Sequence, residues 1–335
     1  MNGLGIGLLA VIAGAIMQGS FALPQKFVRN WPWEKSWLFY SISGMVLFPW
    51  LLVALVVPSP AQAYANAGPG VLALTAIFGA GWGIGSVLFG LGIAALGVAL
   101  GFAIIISLTA ALGALVPMAV LEPAKFWWKP GALLVIGLAV VIAGVALCAK
   151  AGALKDASSA AGGKRKFARG LAICIASGIA SPMLNFAFNF GAPIQKEAAR
   201  LGASMNNASI AVFAVAISAG FLINAGYCLY LLGRNKTWGT GLPADRGRNL
   251  LYTLAMGCLW LFGFYFYGVG STQLGDLGKV IGWPIFMTVM VVVANIWGIL
   301  TGEWKNADRR AFRYLGAGLA LMVCALAIMA PALKS

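Results

Sequence analysis

Histidine does not occur among the 335 residues, and aspartate plus glutamate number only eight. The first absence removes the commonest general base, a frequent metal ligand and the side chain that most readily relays protons near neutral pH. The second leaves few carboxylates for a hydrolytic pair or a hard-cation site. Cysteine is sparse too: Cys148, Cys174, Cys228, Cys258 and Cys324 fall in separate apolar stretches without a C-x-x-C spacing. They read as small buried hydrophobes, not as a zinc or disulfide framework. No Ser-Lys, Asp-Asp or histidine-metal set is available at membrane depth, so neither an embedded enzyme nor a cofactor is expected.

Charge of any kind is thin, at 9% of the chain against 61% hydrophobic residues. Soluble chains carry about a quarter charged residues, so this composition excludes a soluble fold and predicts an all-α integral membrane protein. A bilayer crossing takes about 20 apolar residues. Uncharged stretches near 3–23, 37–57, 70–90, 97–121, 131–149, 170–190, 208–232, 249–270, 280–301 and 314–332 predict ten transmembrane helices. The first lacks the basic leader of a cleaved signal and is too long for one, so it is read as a span. Segments 91–97 and 271–279 predict tight hairpins.

The 23 Lys and Arg exceed the acids by 15. On a folded soluble face that excess would suggest nucleic acid; here the charges sit in short loops between apolar runs, and no nucleic-acid partner is expected. Loops after odd-numbered spans hold 17 of the 23 basic residues, and cytoplasmic retention of positive loops then places both termini outside the cytoplasm.

Sliding the chain on itself by 178 residues superposes Trp82 on Trp260, Gly85 on Gly263 and Gly92 on Gly270. A shift of 181 superposes Glu122 on Glu303 and Gly137 on Gly318, and Ile12-Ala-Gly-Ala-Ile16 resembles Ile175-Ala-Ser-Gly-Ile179. The expected organisation is a first five-helix repeat over 1–149, a basic cytoplasmic connection over 150–169 and a second repeat over 170–335. Five is odd, so the second copy enters from the opposite side. Two inverted repeats are the arrangement that lets a central solute site open to either face in turn.

Candidate solute contacts follow from what is polar or aromatic at mid-depth. Gln18 lies in span one, and Asn185 and Asn189 stand four apart on one face of span six. They serve either as glue between helices or as hydrogen-bonding groups for a neutral polyhydroxylated ligand. Trp82 and Trp260 occupy equivalent places in the two halves, with Phe89, Tyr265 and Tyr267 close by, an aromatic patch able to stack on the apolar face of a sugar. Trp31, Trp33, Trp37, Trp127 and Trp128 lie beside charges at span ends and read as interfacial anchors. Ser181-Pro182 and Trp283-Pro284 predict helix breaks of the kind tolerated only against protein or a wet cavity.

The segments Trp82-Gly-Ile-Gly85, Gly90-Leu-Gly92, Leu96-Gly97 to Gly101, Asn185-Phe-Ala-Phe-Asn189, Phe264-Tyr265-Phe266-Tyr267 and Glu303-Trp-Lys-Asn-Ala-Asp-Arg-Arg310 resemble the L-rhamnose-proton symporter family, a branch of the drug/metabolite transporter superfamily. The resemblance implies a ten-helix carrier in the bacterial inner membrane that imports a 6-deoxyhexose such as L-rhamnose by alternating access, with a proton as coupling ion. With histidine absent, that proton would ride on Asp276, Glu122 or Glu303, or on Lys279. Sodium coupling, uncoupled movement, or carriage of another small metabolite stays open on the residues alone.

Overall fold

The computed structural model describes residues 3–96, 98–121, 123–155, 164–275, 278–302, 304–305, 307–329 and 331, with backbone alone at 98–100, 102–103, 125–126, 155, 164–167 and 279–280. Among the described residues the regular structure is entirely helical. Ten helical segments among them are long and apolar enough to cross a bilayer: Gly3–Phe27, Trp33–Val56, Pro69–Leu96, Ile104–Leu121, Lys129–Leu154, Ala168–Arg200, Met205–Asn235, Pro243–Gln273, Ile281–Leu300 and Arg309–Met329. They are spans one to ten below.

Span boundaries depart from the hydropathy reading where helix chemistry and apolarity part company. Span two begins at Trp33, ahead of the expected 37, because Pro32 supplies an extended N-cap (φ −64°, ψ 155°) and Glu34 sits in the first turn, where the helix dipole favours an anion. Span six runs past 190 into a helix over Ala192–Arg200, entered through Pro193 and carrying an Arg200–Glu197 pair at 2.9 Å. The expected break at Ser181-Pro182 is present, with helices over Lys164–Ala180 and Met183–Phe190. At Trp283-Pro284 the helix instead continues through, over Gly278–Leu300.

The chain packs as two compact units. One comprises Met1–Ile84 with Leu184–Gln273, the other Gly85–Met183 with Leu274–Ser335. Each draws on both halves of the sequence. In the first unit spans one and eight meet backbone to backbone: a Cβ added to Gly14 would lie 2.5 Å from Gly263 O, and one on Gly270 would lie 2.5 Å from Gly7 O and 2.7 Å from Val11 N. A Cβ on Gly263 would sit 2.7 Å from the Gln18 amide. Glycine is what permits this approach, which takes the place of a hydrophobic driving force between helices in lipid.

In the second unit span six meets span three in the same register. Ser177 Oγ donates to Gly85 O (2.9 Å), a Cβ on Gly85 would lie 2.7 Å from Ser181 N, and one on Gly92 would lie 2.8 Å from Cys174 Sγ. The 163-residue shift that superposes Ile12 on Ile175 carries Val11, Gly14 and Gln18 to Cys174, Ser177 and Ser181. The 178-residue shift carries Gly85 and Gly92 to Gly263 and Gly270. The contacts of Gly14 on Gly263, Gln18 on Gly263 and Val11 on Gly270 therefore have counterparts in span six on span three, while Gly7 on Gly270 does not, since its equivalent Gly170 meets Leu96 and Ala95.

Spans five and ten, both in the second unit, pack on each other. A Cβ on Gly137 would strike Met329; one on Gly318 would lie 2.7 Å from Cys148 Sγ. The 181-residue shift turns the first contact into the second, because it carries Gly137 to Gly318 and Cys148 to Met329. Such reciprocity, in which i meets the copy of j and j meets the copy of i, is what a two-fold axis perpendicular to an antiparallel helix pair generates.

At one end of the first unit, the loops after spans one and seven interlock. Glu34 Oε1 accepts from Thr237 Oγ1 (2.7 Å) and Asn235 Nδ2 (3.1 Å), Asn30 Nδ2 donates to Asp245 Oδ2 (2.7 Å), Lys35 Nζ donates to Thr240 O (2.7 Å), and Asn249 bonds the backbone of Arg29 in both directions. Two loops of the basic set thus share a face. Glu34 is only 6% exposed, while its donors Thr237 and Asn235 are half-buried and exposed respectively, so removing its acceptor costs about 1 kcal/mol, the net value of the lost hydrogen bonding. Glu34→Ala should lower the thermal unfolding midpoint of the purified protein clearly, whereas Glu34→Gln, which keeps an Oε1 acceptor, should lose little. Equal losses would assign the effect to the charge instead.

Candidate functional site

Trp260 of span eight is the centre of an aromatic group in the first unit. Its side chain is 3% exposed, and both ends of one glutamine are spent on it. Gln18 Nε2 donates to Trp260 O (3.0 Å) and Gln18 Oε1 accepts from Trp260 Nε1 (3.1 Å), with the amide oriented to satisfy both. A buried indole N–H needs an acceptor; this one also locks the ring's rotamer. Trp82 lies 5.5 Å from Trp260 between ring centroids at 32°, Phe264 at 4.9 Å edge-on and Tyr40 at 6.2 Å edge-on. Gly220 of span seven makes room for the Trp82 ring, since a Cβ there would lie 2.5 Å from Trp82 Cε3.

The two tryptophans singled out by the internal repeat are therefore in contact, and Gln18 is joined to one of them. Tyr40 and Trp37 extend the group without having been marked as part of it. Trp37, expected as an interfacial anchor, packs edge-on to Tyr40 (4.9 Å) and stacks on Trp33 (5.0 Å, 23°). The anchor reading suits Trp127 and Trp128, which are 84% and 75% exposed. The missed signal was spacing: Trp33, Trp37 and Tyr40 recur at four and three residues, one helix face.

A second, neutral node lies between spans six and eight. Tyr267 Oη donates to Asn185 Oδ1 (2.6 Å), and Asn189 Nδ2 donates to Asn185 O (2.9 Å). Asn185 and Asn189 are 1% and 4% exposed. Phe188 between them stacks on Phe213 (5.1 Å, 5°) and contacts Tyr267 (5.5 Å). The asparagines stand one turn apart on one helix, and Asn185 meets Tyr267 rather than Tyr265. Five residues from Trp260, Tyr265 lies about 140° round the helix; its hydroxyl donates to Asn207 Oδ1 (2.8 Å), and its ring packs with Phe262 and Phe266.

Asp276, Glu122 and Glu303 lie outside the described residues, as does the side chain of Lys279. The groups brought together are thus an indole pair and a set of amides and hydroxyls. Such a set can stack on an apolar face and exchange hydrogen bonds with a neutral solute.

Comparison with known proteins gives a consistent family. The family model described as L-rhamnose-proton symport protein matches residues 1–335. The chain is 29% identical to the L-rhamnose-proton symporter of Mannheimia succiniciproducens over 97% of this chain and 96% of that protein. It is 29% identical to the L-rhamnose-proton symporter of Cronobacter sakazakii over 98% and 97%, and 28% identical to that of Citrobacter koseri over 100% and 99%.

Proposed function

The chain belongs to the L-rhamnose-proton symport protein family, a family of multi-pass membrane transporters and not of enzymes, and from that premise we propose that it imports a small neutral 6-deoxyhexose such as L-rhamnose together with a proton. The observation that supports a sugar most directly is the indole of Trp260, whose Nε1 donates to Gln18 Oε1 and which Trp82 faces, in the same unit as a node of neutral amides and hydroxyls. Aromatic faces take the C–H face of a pyranose, while amides and hydroxyls take its rim. Gln18, Trp82, Trp260, Asn185 and Asn189 are the sugar contacts in this reading, with Tyr265 in an outlying place.

The transport cycle proposed is alternating access by two inverted repeats, 1–149 and 170–335, joined by the connection 150–169. Its support is the register shared by spans one on eight and six on three, and the reciprocal contacts of spans five and ten. The chain resides in the bacterial inner membrane with both termini on the periplasmic side, the orientation that the loop charges favour.

Proton coupling rests on Asp276, Glu122 and Glu303, with Lys279 as the remaining carrier. In liposomes holding the purified protein, an inwardly directed proton gradient should drive accumulation of labelled L-rhamnose. Among Asp276→Asn, Glu122→Gln and Glu303→Gln, at least one should abolish gradient-driven accumulation while leaving exchange counterflow intact. Accumulation that ignores the pH gradient and follows a sodium gradient would replace the proton; counterflow absent for every sugar offered would end the carrier reading.

A further inference from the structure

Four rings with polar tips gather in the first unit: Trp37 and Tyr40 of span two, Trp82 of span three and Trp260 of span eight. Two of the tips are occupied. Trp260 Nε1 donates to Gln18 Oε1 (3.1 Å), and Trp37 Nε1 donates to Asn224 Oδ1 (3.5 Å). Tyr40 Oη and Trp82 Nε1 make no hydrogen bond among the described residues. Trp82 is half-buried, but Tyr40 is 1% exposed. The Tyr40 ring packs on Phe21 (5.6 Å), Trp37 (4.9 Å) and Trp260 (6.2 Å), contacts that a phenylalanine would make equally well. A hydroxyl buried without a partner costs about 1–3 kcal/mol, so a tyrosine at this place calls for a group that comes to meet it.

The ring is held where it stands by two neighbours. Phe21 and Gln18 lie three apart on one face of span one, so the same face that bonds Trp260 also packs on Tyr40. Just after Tyr40, span two turns π-helical over Ser43–Leu47, a distortion frequent at functional sites. A Cβ on Gly44 there would lie 2.9 Å from Gly257 Cα, one turn before Trp260, which presses span two onto span eight. The chemistry of the missing partner follows from the two free tips. The phenol donates and accepts, and the Trp82 N–H donates alone. An ammonium has no lone pair for either proton. Neighbouring hydroxyls of a pyranose serve both, and the C–H groups between them suit the surrounding rings.

Resting on the sugar-carrier reading above, we infer that Tyr40 is a further sugar contact and a specificity-determining residue, its Oη hydrogen-bonding one hydroxyl of the hexose beside the Trp260 ring. Span two thereby joins spans one, three, six and eight in supplying the site. Because the oxygen has no partner in the sugar-free protein, it adds nothing to folding. The bond that the sugar supplies recovers the cost of burying it, so its whole contribution falls on binding.

The test uses the purified full-length protein, wild type and Tyr40→Phe, with L-rhamnose and its 1-, 2-, 3- and 4-deoxy analogues. Dissociation constants are measured for each sugar, and unfolding midpoints without sugar. The sugar-free midpoint of Tyr40→Phe should equal or exceed that of wild type. In wild type, one analogue should bind about ten- to a hundredfold more weakly than L-rhamnose, the penalty for leaving a buried hydroxyl unmet. In Tyr40→Phe that ratio should fall toward one, through weaker L-rhamnose binding and unchanged binding of the analogue. A lowered sugar-free midpoint with every deoxy ratio as in wild type makes a bound water the partner of Oη and overturns the inference. Tyr40→Phe that binds every sugar as wild type does, or weakens all of them alike, overturns it too. Wild type that binds none of these sugars sinks the sugar reading itself, and the inference with it, a result separable from the others.

Discussion

Trp260→Ala is expected to abolish the rise in unfolding temperature that L-rhamnose confers on the purified protein. The substitution removes the ring that Trp82, Phe264 and Tyr40 surround and leaves Gln18 Oε1 without its donor, while Gln18 Nε2 keeps the backbone carbonyl of residue 260. Because loss of a buried tryptophan costs about 3–5 kcal/mol on its own, the quantity to compare is the sugar-induced shift and not the absolute midpoint. Trp260→Phe separates the two contributions: it keeps an aromatic ring for packing, leaves Gln18 Oε1 without its indole donor, and should weaken sugar binding about tenfold, in line with one lost buried hydrogen bond. Asn189→Ala should remove the sugar-induced shift as well. Full sugar-induced shifts in the Trp260 and Asn189 variants, with the protein monodisperse, would move those residues from recognition to packing.

Gly14→Leu should yield no folded protein, and even Gly14→Ala should cost about 1–3 kcal/mol or more. At the crossing of spans one and eight the added carbon would stand 2.5 Å from Gly263 O and 2.9 Å from Tyr267 N, both backbone atoms without a side chain's freedom to swing aside. The corresponding position in the other unit already carries a side chain, Ser177, whose hydroxyl donates to Gly85 O; Ser177→Gly should cost only about 1 kcal/mol, the value of that bond plus the helix preference of glycine. Size-exclusion profiles and unfolding midpoints of the three variants in detergent measure the contrast. Comparable losses at Gly14→Ala and Ser177→Gly would contradict the tighter approach assigned to span one.

Ten spans were legible in the sequence because apolar length is a direct imprint of bilayer thickness, and charge at the bilayer centre is excluded. The extension of span six to Arg200 was not, since Lys196 and Glu197 end the apolar run while the backbone continues helical in an amphipathic segment. Trp82 and Trp260 were found as partners because tryptophan is rare enough for a repeat of one to be informative. Tyr267 was noticed as an aromatic, but its hydrogen bond to Asn185 joins residues 82 positions apart, and no local pattern carries that information.

The pairing of spans five and ten has a consequence for directionality. The backbones of such a pair have no intrinsic up or down, but the side chains do, because Gly137 meets Met329 where Gly318 meets Cys148. Any preference between the two faces must come from positions where the halves have diverged, and the contacts described above supply named instances: Gly14 against Ser177, Gln18 against Ser181 and Val11 against Cys174. On the alternating-access cycle proposed above, exchanging residues within those pairs is expected to alter vectorial bias, and Gln18 is at the same time a proposed sugar contact.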